Sequence, residues 1–155
     1  MIQTRSVKDL MSTDIMTIAD DMTTDEAARY LIEHEISGAP VVDEQGHLVG
    51  VLSMTDIGRS VAEPSEVGSS AGSGFYRDDG VEVALDDVRP RSIQEPAVTV
   101  RDVMTPAVHQ VAVTASAAEA ARCMVEQHVH RLVVTKGKEP VGIITSIDLL
   151  KLIAG

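Results

Sequence analysis

Val49-Gly50-Val51-Leu52-Ser53-Met54-Thr55-Asp56-Ile57 recurs as Val141-Gly142-Ile143-Ile144-Thr145-Ser146-Ile147-Asp148-Leu149. In each copy an apolar β-rich run ends at a hydroxyl residue and passes into a helical pattern, so the stretch reads as a strand-to-helix junction written twice. Working outward, Val7-Lys8-Asp9-Leu10-Met11 matches Val100-Arg101-Asp102-Val103-Met104 at an offset of 93 residues (100 − 7 = 93). The offset holds through Glu26-Ala27-Ala28-Arg29 against Glu119-Ala120-Ala121-Arg122, and through Val41/Val134. One residue is lost in the next turn, so Asp56 aligns with Asp148 at 92 (148 − 56 = 92). Register kept over this length makes the chain one duplicated unit.

Each repeat opens with a short helical segment, Val7–Met11 or Val100–Met104, and a brief strand near Met16–Ile18 or His109–Val113. Thr23-x-x-Glu26 and Ser116-x-x-Glu119 are capping boxes that start a helix, in which a hydroxyl and a carboxylate satisfy orphan amides. Ala27, Ala28, Leu31 and Ile32 give that helix an apolar stripe, echoed by Ala120, Ala121, Met124 and Val125. Two β-rich runs follow, Ala39–Val42 and His47–Leu52, then Leu132–Thr135 and Pro140–Ile144 in the second copy. A last helix covers Thr55–Val61 or Ile147–Ala154. The order β-α-β-β-α, twice, defines an α/β fold in which the repeats pack about a pseudo-two-fold axis with paired clefts between them. The expected boundaries are 5–61 for repeat 1, 62–98 for an insertion and 99–154 for repeat 2.

Each repeat is short for an independent core, so the two together are expected to fold as one unit of the 155-residue chain. A net charge of −11 argues against a nucleic-acid partner. The single Cys123 excludes an internal disulfide and fits a reducing compartment. No run approaches the length of a membrane span, which leaves the cytoplasm as the expected location. Within the insertion, Glu63–Gly74 is Gly/Ser-rich and reads as a flexible loop. Phe75-Tyr76 follows, two of only three aromatics in the chain, before the acidic stretch Asp78–Asp87. The aromatic pair reads as an anchor holding the loop to the module, with a partner-docking site as the alternative. Asp20-Asp21 and Asp86-Asp87 read as solvated.

Gly50-x-x-Ser53-x-Thr55-Asp56 and Gly142-x-x-Thr145-x-x-Asp148 follow Ser37-Gly38-Ala39-Pro40-Val41-Val42-Asp43 and His130-Arg131-Leu132-Val133-Val134. This pattern resembles the CBS domain, present as a tandem pair, or Bateman module, of the stand-alone kind. The resemblance covers both repeats and leaves the insertion unexplained. It implies a regulatory, ligand-sensing module and not an enzyme. Such a module binds an adenine nucleotide (AMP, ADP or ATP, sometimes S-adenosylmethionine) between the repeats and transmits binding as a conformational change, as in energy sensing. It requires no cofactor, and such pairs associate into homodimers. The regulated partner protein is left unidentified.

The residues make chemical sense for that ligand. A carboxylate accepts from both hydroxyls of a ribose. A hydroxyl at a helix start, beside unpaired amides, favours an anion. Gly50 and Gly142 admit close approach of backbone to the cleft. By the family's pattern, the first cleft would set Ser53, Thr55 and Asp56 against His130 and Arg131. The second would set Thr145 and Asp148 against Thr13, Ile36, Ser37 and Gly38. With Ile147 in place of Thr55 and no basic residue opposite, the second cleft is expected to hold phosphate less tightly. Aliphatic Ile36, Val108 and Ile143 would line the adenine slot, with Tyr30 expected to be packed.

Other readings stay beside this one. Ser53-x-x-Asp56 and Thr145-x-x-Asp148 also fit capping boxes that need no ligand. His128-x-His130 lacks the further donors of a metal site, so no metal is expected. Met11, Met16, Met54, Met104 and Met124 read as core filling. Neither a nucleophile elbow nor a P-loop is present. The competing function is a constitutive protein-interaction scaffold whose clefts stay unoccupied.

Overall fold

The structure, a computed structural model, describes residues 5–62, 74–77 and 98–154. The Gly/Ser-rich run before Gly74 and the acidic stretch Asp78–Asp87 lie outside the described residues. The elements in chain order are α1 (Val7–Leu10), β1 (Ile18–Ala19), α2 (Thr24–Glu33), β2 (Gly38–Val42), β3 (Leu48–Ser53) and α3 (Met54–Ala62). After α4 (Gly74–Arg77) the series repeats as α5 (Val100–Val103), β4 (Gln110–Ala112), α6 (Ala117–Gln127), β5 (Arg131–Lys136), β6 (Glu139–Thr145) and α7 (Ser146–Ala154). The mixed α/β class and the twofold β-α-β-β-α order are therefore as the sequence reads.

The chain forms two compact units, a central one of Met16–Val108 and a terminal one of Met1–Ile15 with His109–Gly155. Each unit takes its sheet from one repeat and its short leading helix from the other. The central sheet has the order β1-β2-β3, and the terminal sheet β4-β5-β6. In both, the first pair is parallel and the second antiparallel. On the far edge of β3, the chain leaving α5 adds a reciprocal pair of bonds between Val51 and Thr105, both 2.9 Å. The chain leaving α1 does the same on β6, between Ser12 and Ile143 at 2.8 and 3.0 Å.

These crossings explain two glycines. A Cβ on Gly50 would lie 2.8 Å from the Thr105 carbonyl oxygen and 2.8 Å from Met104 Sδ. One on Gly142 would lie 2.7 Å from both the Ser12 oxygen and Met11 Sδ. The close approach expected of both glycines is real, but it is made by the chain's own crossing segment.

Small sequence differences have visible effects. β4 is one residue longer than β1 because Val133 N–H donates to the His109 carbonyl at 3.2 Å. The equivalent Pro40 has no N–H to give. Ser116 and Glu119 complete a reciprocal capping box at 2.8 and 3.1 Å. At α2 only the hydroxyl half forms, with Thr23 Oγ1 accepting from Glu26 N–H at 3.2 Å. Just after α2 and α6 the chain passes through a non-glycine residue in the left-handed region, Glu35 and His128, each at φ 55°.

The central core gathers Ile18, Leu31, Val41, Leu52 and Ile57 with Val100 and Val103 of α5. In the terminal unit Val7 of α1 is buried, as are Ala120, Met124, Leu132, Val134 and Ile144. Asp20 corrects the solvated reading of its cluster, being buried and accepting from Arg101 Nη2 at 3.1 Å and Nε at 3.3 Å. That pair, together with the Arg101 N–H bond to the Asp20 carbonyl, fastens α5 to the end of β1. Among the described residues no helix is long and apolar enough to cross a membrane.

Candidate functional site

The repeated motif sits where a strand end meets a helix start. In the central unit Gly38 pairs with Ser53 across β2 and β3, and Met54 N–H donates to the Ser37 carbonyl at 2.9 Å. Ile36, Ser37 and Gly38, expected opposite Thr145 and Asp148, are thereby held beside Ser53, Thr55 and Asp56 of their own repeat. Ser53 N–H donates to Asp56 Oδ2 at 3.0 Å, and Asp56 N–H donates to Ser53 Oγ at 3.1 Å. This box starts α3, and both side chains are nearly inaccessible, Ser53 at 2% and Asp56 at 5% exposure. Thr55 on the same turn is half-buried.

The terminal unit repeats the arrangement with different neighbours. Arg131 pairs with Thr145 across β5 and β6, and Ser146 N–H donates to the His130 carbonyl at 2.8 Å. Thr145 N–H donates to Asp148 Oδ2 at 2.9 Å, and Asp148 N–H donates to Thr145 Oγ1 at 3.2 Å. Asp148 Oδ1 also accepts from Lys151 Nζ at 3.4 Å. Here the pair is more open, with Thr145 half-buried and the Asp148 side chain 16% exposed. His130 is exposed, and Thr13 is exposed just beyond the Ser12 bridge to Ile143.

Both capping boxes are thus made, and the ligand-independent role of the hydroxyl and carboxylate is real in each unit. What differs is charge. The terminal motif has the Arg131 guanidinium in register with Thr145 and the Lys151 ammonium one turn along α7. The central motif has Gly38 at the position equivalent to Arg131. This corrects the expectation that the Asp148 motif has no basic residue beside it: within the terminal unit, Arg131, Lys151 and the start of a nine-residue helix all lie near that motif. Lys151 was not singled out by motif, although its spacing three residues after Asp148 on a helix is a readable signal.

The aromatic pair of the insertion forms part of the central unit. Phe75 is fully buried and Tyr76 is 4% exposed, with ring centroids 5.1 Å apart and nearly perpendicular. Tyr76 Oη donates to the Ala107 carbonyl at 3.3 Å. α4 packs on β2, β3 and α3. The anchoring reading of these rings is what the structure shows. Tyr30 is half-buried against the core and stacks on His34 at 4.3 Å. Burial and the Glu126 carboxylate push the Cys123 thiol above its ordinary pKa, which suits packing and not reactivity.

The chain matches the CBS domain family over residues 7–63 and 100–155, and it belongs to that family as a tandem pair. It is 30% identical over 148 residues to the uncharacterized protein MJ1404 of Methanocaldococcus jannaschii, covering 96% of this chain and 32% of that protein. It is 32% identical over 139 residues to the chloroplastic CBS domain-containing protein CBSX1 of Arabidopsis thaliana, covering 89% of this chain and 58% of that one. The chain thus spans less than two thirds of these curated relatives. Among solved structures, the CBS domain pair of protein MJ0100 in complex with 5′-methylthioadenosine and S-adenosyl-L-methionine is similar at a TM-score of 0.66 and 25% identity. That likeness covers 97% of this chain and 96% of the other.

Proposed function

We propose that this CBS pair is a regulatory module that binds an adenine nucleotide (AMP, ADP or ATP) and passes binding on as a change of conformation. The observation that carries this reading is the doubled hydroxyl–carboxylate pair, each at the start of a nine-residue helix. The adenosyl ligands of the similar MJ0100 pair support the class of ligand. In each site the helix start and hydroxyl receive phosphate, and the aspartate receives the ribose hydroxyls. Binding signals only if the ligand prefers one of two arrangements. The chain needs no cofactor for this and performs no chemistry of its own. Its single cysteine supports a reducing, cytoplasmic setting.

Calorimetric titration with AMP, ADP, ATP, S-adenosylmethionine and NAD tests the proposal. One adenine nucleotide should bind saturably and raise the thermal midpoint with concentration. Asp148→Ala should weaken it by about tenfold or more, the loss of a charge-assisted bond being worth roughly 1.5–3 kcal/mol. No binding by any of the five ligands would sink the reading.

A second reading, a constitutive scaffold with unoccupied clefts, rests on the exposed apolar face of α6 and α7. Val125, Ile147, Leu150 and Ile153 are 53–73% exposed, beside a hollow of about 300 Å³ lined by Met124 and Leu149 among others. A face of this kind fits association of two copies under either reading. Sedimentation of wild type and Ile153→Glu would detect it as a dimer lost in the variant.

A further inference from the structure

The two motif sites differ in one feature that duplication did not supply. The insertion follows α3, and among the described residues the terminal unit has no counterpart of α4. We propose that α4 is an intramolecular competitor for the base-binding slot next to Asp56, with Phe75 and Tyr76 seated where a purine would lie. The proposal rests on the nucleotide reading above and adds a regulatory element to one of the two sites.

Three observations converge. The first is position. A Cβ on Gly38 would lie 3.2 Å from Phe75 Cδ2, and Gly38 is the register partner of Ser53. Tyr76 reaches the Ala107 carbonyl, next to Val108. The pair of rings therefore touches the Gly38 backbone at one end and the Ala107 carbonyl at the other, with α4 packed on α3. The second is sequence asymmetry. The position of Gly38 is Arg131 in the terminal unit, so the central unit has a bare backbone and an aromatic ring where the terminal unit has a guanidinium stem. The third is access. Ser53 and Asp56 are 2% and 5% exposed, whereas Thr145 is half-buried and the Asp148 side chain is 16% exposed. The site beside α4 is the closed one.

The chemistry suits displacement. A flat, apolar pair of rings with one hydroxyl bonded to a backbone carbonyl imitates a base with one polar edge. A four-residue helix has no stability of its own, and its two buried rings bind it to the central unit. A nucleotide would then bind the Asp56 site only in molecules whose α4 is displaced, and its affinity there falls by that fraction. The Asp148 site fills first, and the Asp56 site answers at higher concentration.

AMP titration of the full chain by calorimetry, in an Asp148→Ala background that leaves the Asp56 site, provides the test. Adding Phe75→Ala with Tyr76→Ala should strengthen binding at least tenfold, the factor expected if α4 is displaced in no more than about a tenth of molecules. Unchanged or weaker affinity in a variant that keeps its circular dichroism overturns the competitor. Asp56→Ala in the wild-type background separates the two ideas. If it still binds AMP while the α4 variant gains nothing, the nucleotide reading stands and the competitor falls; if no variant binds AMP, both fall. Should the double variant fail to fold, a Tyr30→Phe chain leaves Tyr76 as the only tyrosine, with no tryptophan to mask it. Saturating AMP should raise acrylamide quenching of Tyr76, and unchanged quenching overturns the proposal.

Discussion

At the scale of single residues, Gly50 and Gly142 do the most to set the geometry. Each lies where a second piece of chain crosses the last strand, and the atoms a Cβ would strike include a backbone oxygen that cannot swing away. Gly50→Ala and Gly142→Ala should each destabilise the chain by about 1–3 kcal/mol, the usual cost of overpacking. Urea denaturation would read the loss, and a cost below a few tenths of a kcal/mol would show that the crossing is slack. Both glycines stand out because they are repeated, but a repeat cannot say which partner approaches. Ser53 and Asp56 were equally visible as a motif. Their burial was not, because a motif read along the chain does not say what packs over it, and α4, which packs on β3 and α3, lies further along the chain.

Among elements, the helix starts show how local signals translate. Ser116 and Glu119 form both bonds of their box, while Thr23 and Glu26 form one. Ser116→Ala should therefore cost about 1–2 kcal/mol and Thr23→Ala about 0.5–1 kcal/mol, within the range of lost caps. Equal midpoints in urea for the two variants would contradict this ordering. Strand and helix order was legible because each element carries its own period and punctuation. The length of β4 over β1 was also open to reading, since Pro40 against Val133 removes one donor from the parallel ladder. The destination of α1 and α5 was not legible. Their apolar residues, Val7, Val100 and Val103, demand burial, and nothing local says against which sheet.

For the whole molecule, the crossed helices mean that neither repeat holds all the parts of a unit. Residues 1–80 and 81–155 expressed as separate chains should each lack one short helix and show weak helicity and no cooperative melt. Mixed, they should recover the native circular dichroism, and dilution should reverse the recovery. Two fragments that melt cooperatively alone would show the crossings to be dispensable. In the intact chain, the covalent link between the two repeats therefore does the work of a concentration. It turns a second-order encounter between halves into a first-order one, at an effective molarity fixed by tether length. Lengthening that tether would dilute each half of the molecule with respect to the other while leaving every contact in place.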